Sequence, residues 1–144
     1  MQNISQTFHT EHSIETTAAP ERIWALFRNV PGWKDWNAGI EEISLEGPFA
    51  QGAWIAMKPP GQHPMRAQLI EVHEGERFVD ETRLGDLVVT VTHRIDRIAP
   101  DRTRIVYVVD AAGPEAAEVG PAVASDFPQV LVALVAVATG GPRR

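Results

Sequence analysis

The sequence of 144 residues contains no cysteine. That excludes a disulfide framework, a thiolate metal site and a thiol nucleophile. Positive charge is also scarce: 13 Lys and Arg against 19 Asp and Glu leave a formal net charge of −6. A nucleic-acid backbone needs a clustered basic surface, so no nucleic-acid partner is expected. The longest apolar run, residues 130–138, is too short to cross a bilayer, so no membrane span is expected. The opening MQNISQTFHTEH lacks a basic segment and an apolar core, so no signal peptide is read there and a soluble, cytoplasmic protein is expected. There is no Gly-rich phosphate loop and no G-x-S-x-G elbow, which excludes nucleotide-binding and α/β-hydrolase readings. His9, His12, His63, His73 and His93 fall on different expected elements without H-E-x-x-H spacing. No metal is therefore expected, and no motif calls for a cofactor.

What is present is organised around residues 76–98, ERFVDETRLGDLVVTVTHRIDRI. Phe78, Asp80, Thr82 and Leu84 alternate with Arg77, Val79, Glu81 and Arg83; Leu87, Val89, Val91, His93 and Ile95 alternate with Val88, Thr90, Thr92, Arg94 and Asp96. A period of two puts each set on one face of a strand. Gly85-Asp86, with Gly first, suits a two-residue type II′ turn. That turn sets Leu84 opposite Leu87, Thr82 opposite Val89, Asp80 opposite Val91 and Phe78 opposite His93. The two inner faces, assigned separately, then land on the same side. Asp80 and His93 both point inward, as diagonal neighbours about 7–8 Å apart. A carboxylate inside costs several kcal/mol unless paired, hydrogen-bonded or protonated. The interior is therefore either wet or holds an Asp–His partnership. An ion pair between the two would raise the titration midpoint of His93.

The rest of the chain reads in order as follows. Residues 8–17 form a strand with Phe8, His12 and Ile14 on one face and Glu11 and Glu15 on the other. Pro20 opens a helix carrying Ile23, Trp24, Phe27 and Val30, and Pro31-Gly32 ends it. Trp33 to Asn37 is a short second helix or turn. Strands follow at 40–45, 53–58 and 65–73, then the hairpin, then a last strand at 104–110 with Ile105, Tyr107 and Val109 inward. Residues 115–139 are strand-like in composition around Val130-Leu131-Val132. Ser125 or Asp126 as N-cap, with Pro128 near the start, favours a helix instead. No repeat or linker interrupts the order, so one domain over residues 1–144 is expected.

This order is similar to the helix-grip fold of the START/polyketide-cyclase (SRPBCC) superfamily. APERIWALFRNVPGWKDWN resembles that family's opening. LEGPFAQGAWIAMKPPG, FVDET, the His of THRI and the Gly-Pro after the last strand resemble a bacterial polyketide cyclase/dehydrase-like subgroup. The resemblance spans roughly residues 8–138. It implies an α+β fold in which a curved seven-stranded antiparallel sheet grips a long C-terminal helix, with two short helices between strands 1 and 2. It also implies an apolar cavity between sheet and helix, used across the superfamily for lipids, sterols, polyketides and other hydrophobic molecules. No catalytic motif is carried over.

The candidate ligand-binding residues are Phe78, Asp80, Thr82, Val91, His93, Tyr107, Trp33, Trp36, Trp54, Phe127 and Leu131. His93 suits acid–base work near neutral pH, with Asp80 to orient it, and these two are the catalytic candidates. Read structurally, the pair is a hydrogen bond that fixes the hairpin, Thr82 a satisfied core hydroxyl and Tyr107 a packed ring. A five-residue connection would set Tyr107 opposite His93. Trp33, Trp36 and Trp54 could line a cavity mouth, with packing of the short helix the alternative for Trp33 and Trp36, whereas Trp24 is core. The favoured reading is a protein that binds a small hydrophobic ligand. Its alternatives are a cyclase, aromatase or dehydratase acting on a polyketide-like substrate, and a non-catalytic interaction protein with a vestigial cavity. The C-terminal helix is nearly devoid of charge after Asp126. Phe127, Leu131, Leu134, Val135 and Ala138 would face the sheet, leaving Val130, Val132, Ala133, Ala136 and Val137 outward. A homodimer through the outer face of residues 130–137 is therefore expected.

Overall fold

A computed structural model describes residues 6–140. Residues 1–5, on which part of the leader reading rests, lie outside the described residues. The strands are β1 (Gln6–Thr16), β2 (Glu42–Glu46), β3 (Trp54–Lys58), β4 (Met65–His73), β5 (Arg77–Leu84), β6 (Leu87–Ala99) and β7 (Arg102–Gly113). They form one antiparallel sheet in the order β1-β7-β6-β5-β4-β3-β2. Helix α1 (Pro20–Arg28) and a 3₁₀ turn (Val30–Asp35) join β1 to β2. Helices α2 (Ala116–Ala124) and α3 (Phe127–Ala138) follow the sheet. This is the helix-grip architecture, and the order of elements matches the expectation.

The central hairpin has the expected register: Phe78 opposite His93, Asp80 opposite Val91, Thr82 opposite Val89 and Leu84 opposite Leu87. Gly85 supplies φ +64° at the turn, while Asp86 keeps an ordinary φ, as a type II′ turn requires. β6 pairs in turn with β7, setting His93 opposite Tyr107, and β7 pairs with β1, setting Tyr107 opposite His12. One inward row therefore runs His12, Tyr107, His93, Phe78 across four strands. β7 is longer than expected at both ends, because its pairing with β6 and β1 holds the flanking residues in the sheet.

α1 buries Ile23, Trp24 and Phe27 at helical spacing. Pro20 opens it at a position where no N–H is needed. Phe27 stands in the core, with the ring of Phe78 5.2 Å away and that of His93 5.9 Å away. α2 packs on β1 and β7, and α3 on β1 and α1. Gly120 is what lets α2 approach β1: a Cβ there would lie 2.3 Å from the Phe8 ring.

The C-terminal helix, expected as one element, is bent at Ser125–Asp126. Pro128 falls in the first turn of α3 and cannot donate to the carbonyl four residues back, so the backbone ladder is interrupted. Together α2 and α3 (Ala116–Ala138) are long and apolar enough to cross a membrane by length and composition, which the run 130–138 alone is not. In the fold part of this apolar surface packs inward: Phe127, Val130, Leu131, Leu134 and Ala138 of α3 are buried. The expectation that Val130 faces outward is corrected. α3 touches both β1 and α1, so its buried sector is wider than a single sheet contact needs. The outward surface reduces to Val132 and Ala136, with Ala133, Val135 and Val137 half-buried.

Candidate functional site on the concave face

The concave face of the sheet carries the polar residues singled out in the sequence. His93 lies flat on Phe78, with ring centroids 4.0 Å apart and planes at 8°. Tyr107 meets His93 edge-on at 4.6 Å, and Phe127 from α3 meets Tyr107 edge-on at 5.2 Å. Leu131, one turn further along α3, is fully buried. Val91 is buried, and Thr82 is half-buried. Phe78, Asp80, Val91, His93 and Tyr107 are thus brought together, with Phe127 closing the group from the helix side.

Asp80 Oδ2 stands 3.9 Å from His93 Nδ1, with 15% of the Asp80 side chain and 11% of the His93 side chain exposed. That is too long for a hydrogen bond. Burial pushes the Asp80 carboxyl up to about 7 and the His93 imidazole down to about 3. Loss of solvation penalises the charged form of each, so the two titrate in opposite directions. The ion-pair version of the Asp80–His93 partnership, with a raised histidine, is therefore corrected: the imidazole is neutral. Burial also pushes the Tyr107 phenol up, and the charge of Asp80 adds to it. His93 Nδ1 and the Tyr107 hydroxyl are buried and have no hydrogen-bond partner among the described residues.

The tryptophans divide differently from the expectation of a shared mouth. Trp33 and Trp36 are buried at 7% and 5% exposure. Trp33 Nε1 donates to the Phe27 carbonyl at 2.9 Å, and its ring stacks against Phe78 at 5.7 Å. The 3₁₀ turn folds both indoles inward, so they pack the core beneath the site. Trp54 pairs with Gln68, which pairs with Glu81, on the convex face. There it is 37% exposed, with the Arg66 guanidinium 4.6 Å over its ring. It lines a cleft of about 410 Å³ with Met65, Gln68, Thr82, Arg83 and Leu84. The cleft lies where the β4–β5 ladder ends: Gln68 and Glu81 are its last pair, although both strands run on.

His12 is the inward residue that site reasoning passed over. It stands opposite Tyr107, with its ring edge-on to Phe127 at 6.4 Å. Alternation along β1 placed it inward, but only the β1–β7 register brings it to the site. Among the described residues, no three His, Cys, Asp or Glu side chains gather into a metal-binding group.

A curved antiparallel sheet closed by a C-terminal helix over an aromatic, mostly uncharged concave face defines a helix-grip protein. The chain belongs to the polyketide cyclase/dehydrase and lipid transport family, whose model matches residues 7–139. No curated protein is a significant match. Among solved structures, truncated norcoclaurine synthase from Thalictrum flavum superposes with a TM-score of 0.77 at 16% identity, covering 99% of each chain. The Zhui aromatase/cyclase from Streptomyces sp. R1128 gives 0.74 at 17% identity, over 95% of this chain and 100% of that one. A START superfamily protein from Mycobacterium smegmatis gives 0.72 at 13%, over 92% and 97%. These likenesses concern the fold.

Proposed function

We propose that the chain, as a single domain, binds a small hydrophobic molecule between the concave sheet face and the C-terminal helices, with Asp80, His93 and Tyr107 as its polar contacts. The observation that carries this is the pair of buried atoms without partners, His93 Nδ1 and the Tyr107 hydroxyl, set in an aromatic wall. Each unpaired buried group costs about 1–3 kcal/mol, which a ligand's polar atom would recover. The family's description, which includes lipid transport, supports the same reading. Nile red should bind saturably and be displaced by molecules that co-purify with the protein and are identified by mass spectrometry. No saturable binding would leave the vestigial-cavity reading.

A second reading is an enzyme of the cyclase, aromatase or dehydratase type on a polyketide-like substrate. It is favoured by the Asp80 carboxyl at about 7, matched to proton transfer at neutral pH and close to a neutral imidazole. No turnover of a polyketide-like substrate by the wild type would exclude it, and turnover that survives both His93→Ala and Asp80→Asn would remove these two as its acid–base pair. Self-association through the outer face of residues 130–137 is proposed as well, supported by Val132 at 61% exposure on a helix without outward charge.

A further inference from the structure

On the convex face carboxylates have cationic partners. Glu15 meets Arg102 and Arg104, Glu71 meets Arg77, Asp96 meets Arg94 and Glu46 meets Arg66. Asp80, on the concave face, meets only His93 among the described residues. Directly opposite it stand Leu69 on β4 and Val91 on β6. The titratable groups near it on the same face are His93 on β6, Tyr107 on β7 and His12 on β1, none with a fixed positive charge; Arg97, at the far end of β6 on the same alternation, is exposed and reaches Glu21 of α1. The helices turn only apolar side chains to the core; Arg22 and Arg28 of α1 are exposed.

We propose that the ligand of this site is a hydrophobic amine, held as its ammonium ion by Asp80, His93 Nδ1 and the Tyr107 oxygen. The inference rests on the ligand-binding reading above and names its chemical class. An ammonium group has three donors and no acceptor. The site offers three acceptors: the Asp80 carboxylate, the unpartnered nitrogen of a neutral imidazole and the unpartnered phenol oxygen. A carboxylic acid would bring a second anion beside Asp80, and a neutral alcohol would leave that charge uncompensated. The 410 Å³ cleft around Trp54 reaches Thr82, the next inward-facing residue after Asp80.

The test is displacement of Nile red at about pH 8, where Asp80 is ionised, by 2-naphthylmethylamine, 2-naphthylmethanol and 2-naphthoic acid. The amine should bind at least about tenfold more tightly than the alcohol, the scale of a hydrogen bond to a charged group. The acid should bind most weakly. Asp80→Asn should abolish the amine's advantage over the alcohol, with far-UV circular dichroism reporting that the variant is folded. An acid that binds as well as the amine, or an amine preference that survives in Asp80→Asn, overturns the proposal. If the alcohol binds as tightly as the amine, the ligand-binding reading stands and the amine assignment falls. If neither Nile red nor any of the three binds, both fall together.

Discussion

The two faces of the sheet handle charge in opposite ways. On the convex face, glutamates and aspartates alternate with arginines across neighbouring strands: Glu15 bridges to Arg102 and Arg104, and Arg94 grips Asp96 at 3.0 Å. Water screens these pairs, and arginines hold two of the acids below their usual range: Arg104 does so for Glu15 and Arg77 for Glu71. On the concave face the described strands place one carboxylate, Asp80, and burial drives it the other way, towards the neutral form. A convex acid is thus made stronger by its neighbours and a concave acid weaker by its surroundings. The first arrangement suits solubility. The second leaves a group that changes charge near neutral pH inside an aromatic wall, which is where chemistry or selective binding can be done.

The largest expected effect comes from the concave row. Phe78→Ala removes the ring under His93 and should cost about 3–5 kcal/mol in urea unfolding. A loss below about 1 kcal/mol would mean that the row is not core. Next comes Asp80. Unfolded Asp titrates near about 3.9 and unfolded His near about 6.5. With Asp80 raised to about 7, its contribution to stability is present below about pH 4 and lost as pH climbs through 7. With His93 lowered to about 3, its contribution is present above about pH 6.5 and lost as pH falls towards 3. Between roughly pH 4 and 6.5 the two slopes oppose each other. Asp80→Asn should therefore stabilise the fold at about pH 8, by about 1–3 kcal/mol, and make stability rise with pH across that window. His93→Gln should make it fall. Parallel stability curves for the wild type and both variants would contradict this account.

The outer surface of α3 tests a third environment. Val132→Lys with Val137→Glu should shift the sedimentation coefficient to that of a folded monomer, with little change in unfolding midpoint. A wild type that is already monomeric at high concentration would remove that interface. The smallest effect belongs to the convex face: Glu15→Gln should move the unfolding midpoint only slightly downwards, and the difference should vanish in about 1 M salt. A large, salt-independent loss would mean that the convex pairs are not screened surface contacts.

The hairpin was legible because two alternations and one turn had to agree. Gly85-Asp86 fixes the register, and the register fixes which side chains meet. The same logic reached Tyr107 through a short connection. Trp54 was not legible: Trp54, Ile55, Ala56 and Met57 are all apolar, so alternation offers no choice of face, and only pairing with Gln68 decides it. Trp33 and Trp36 depend on how a 3₁₀ turn folds back on α1, a tertiary matter without periodicity. The burial of Val130 follows from α3 touching two neighbours at once, which no single-helix pattern records. The opposite titration of Asp80 and His93 needed depth as well as proximity. Sequence spacing supplied only the proximity.

The position of β1 in the sheet has a kinetic side. β1, the first of these seven strands to be made, pairs among them with β7 alone, Gln6 with Gly113 and Thr16 with Thr103. The strand must therefore wait while roughly ninety further residues are made, about 5–20 s at ordinary synthesis rates. Meanwhile β5 and β6 can close locally over a two-residue turn. A chain stopped before residue 102 presents unpaired edges on both β1 and β6, a template for aggregation. Moving β1 to follow β7 by circular permutation should shorten that exposure.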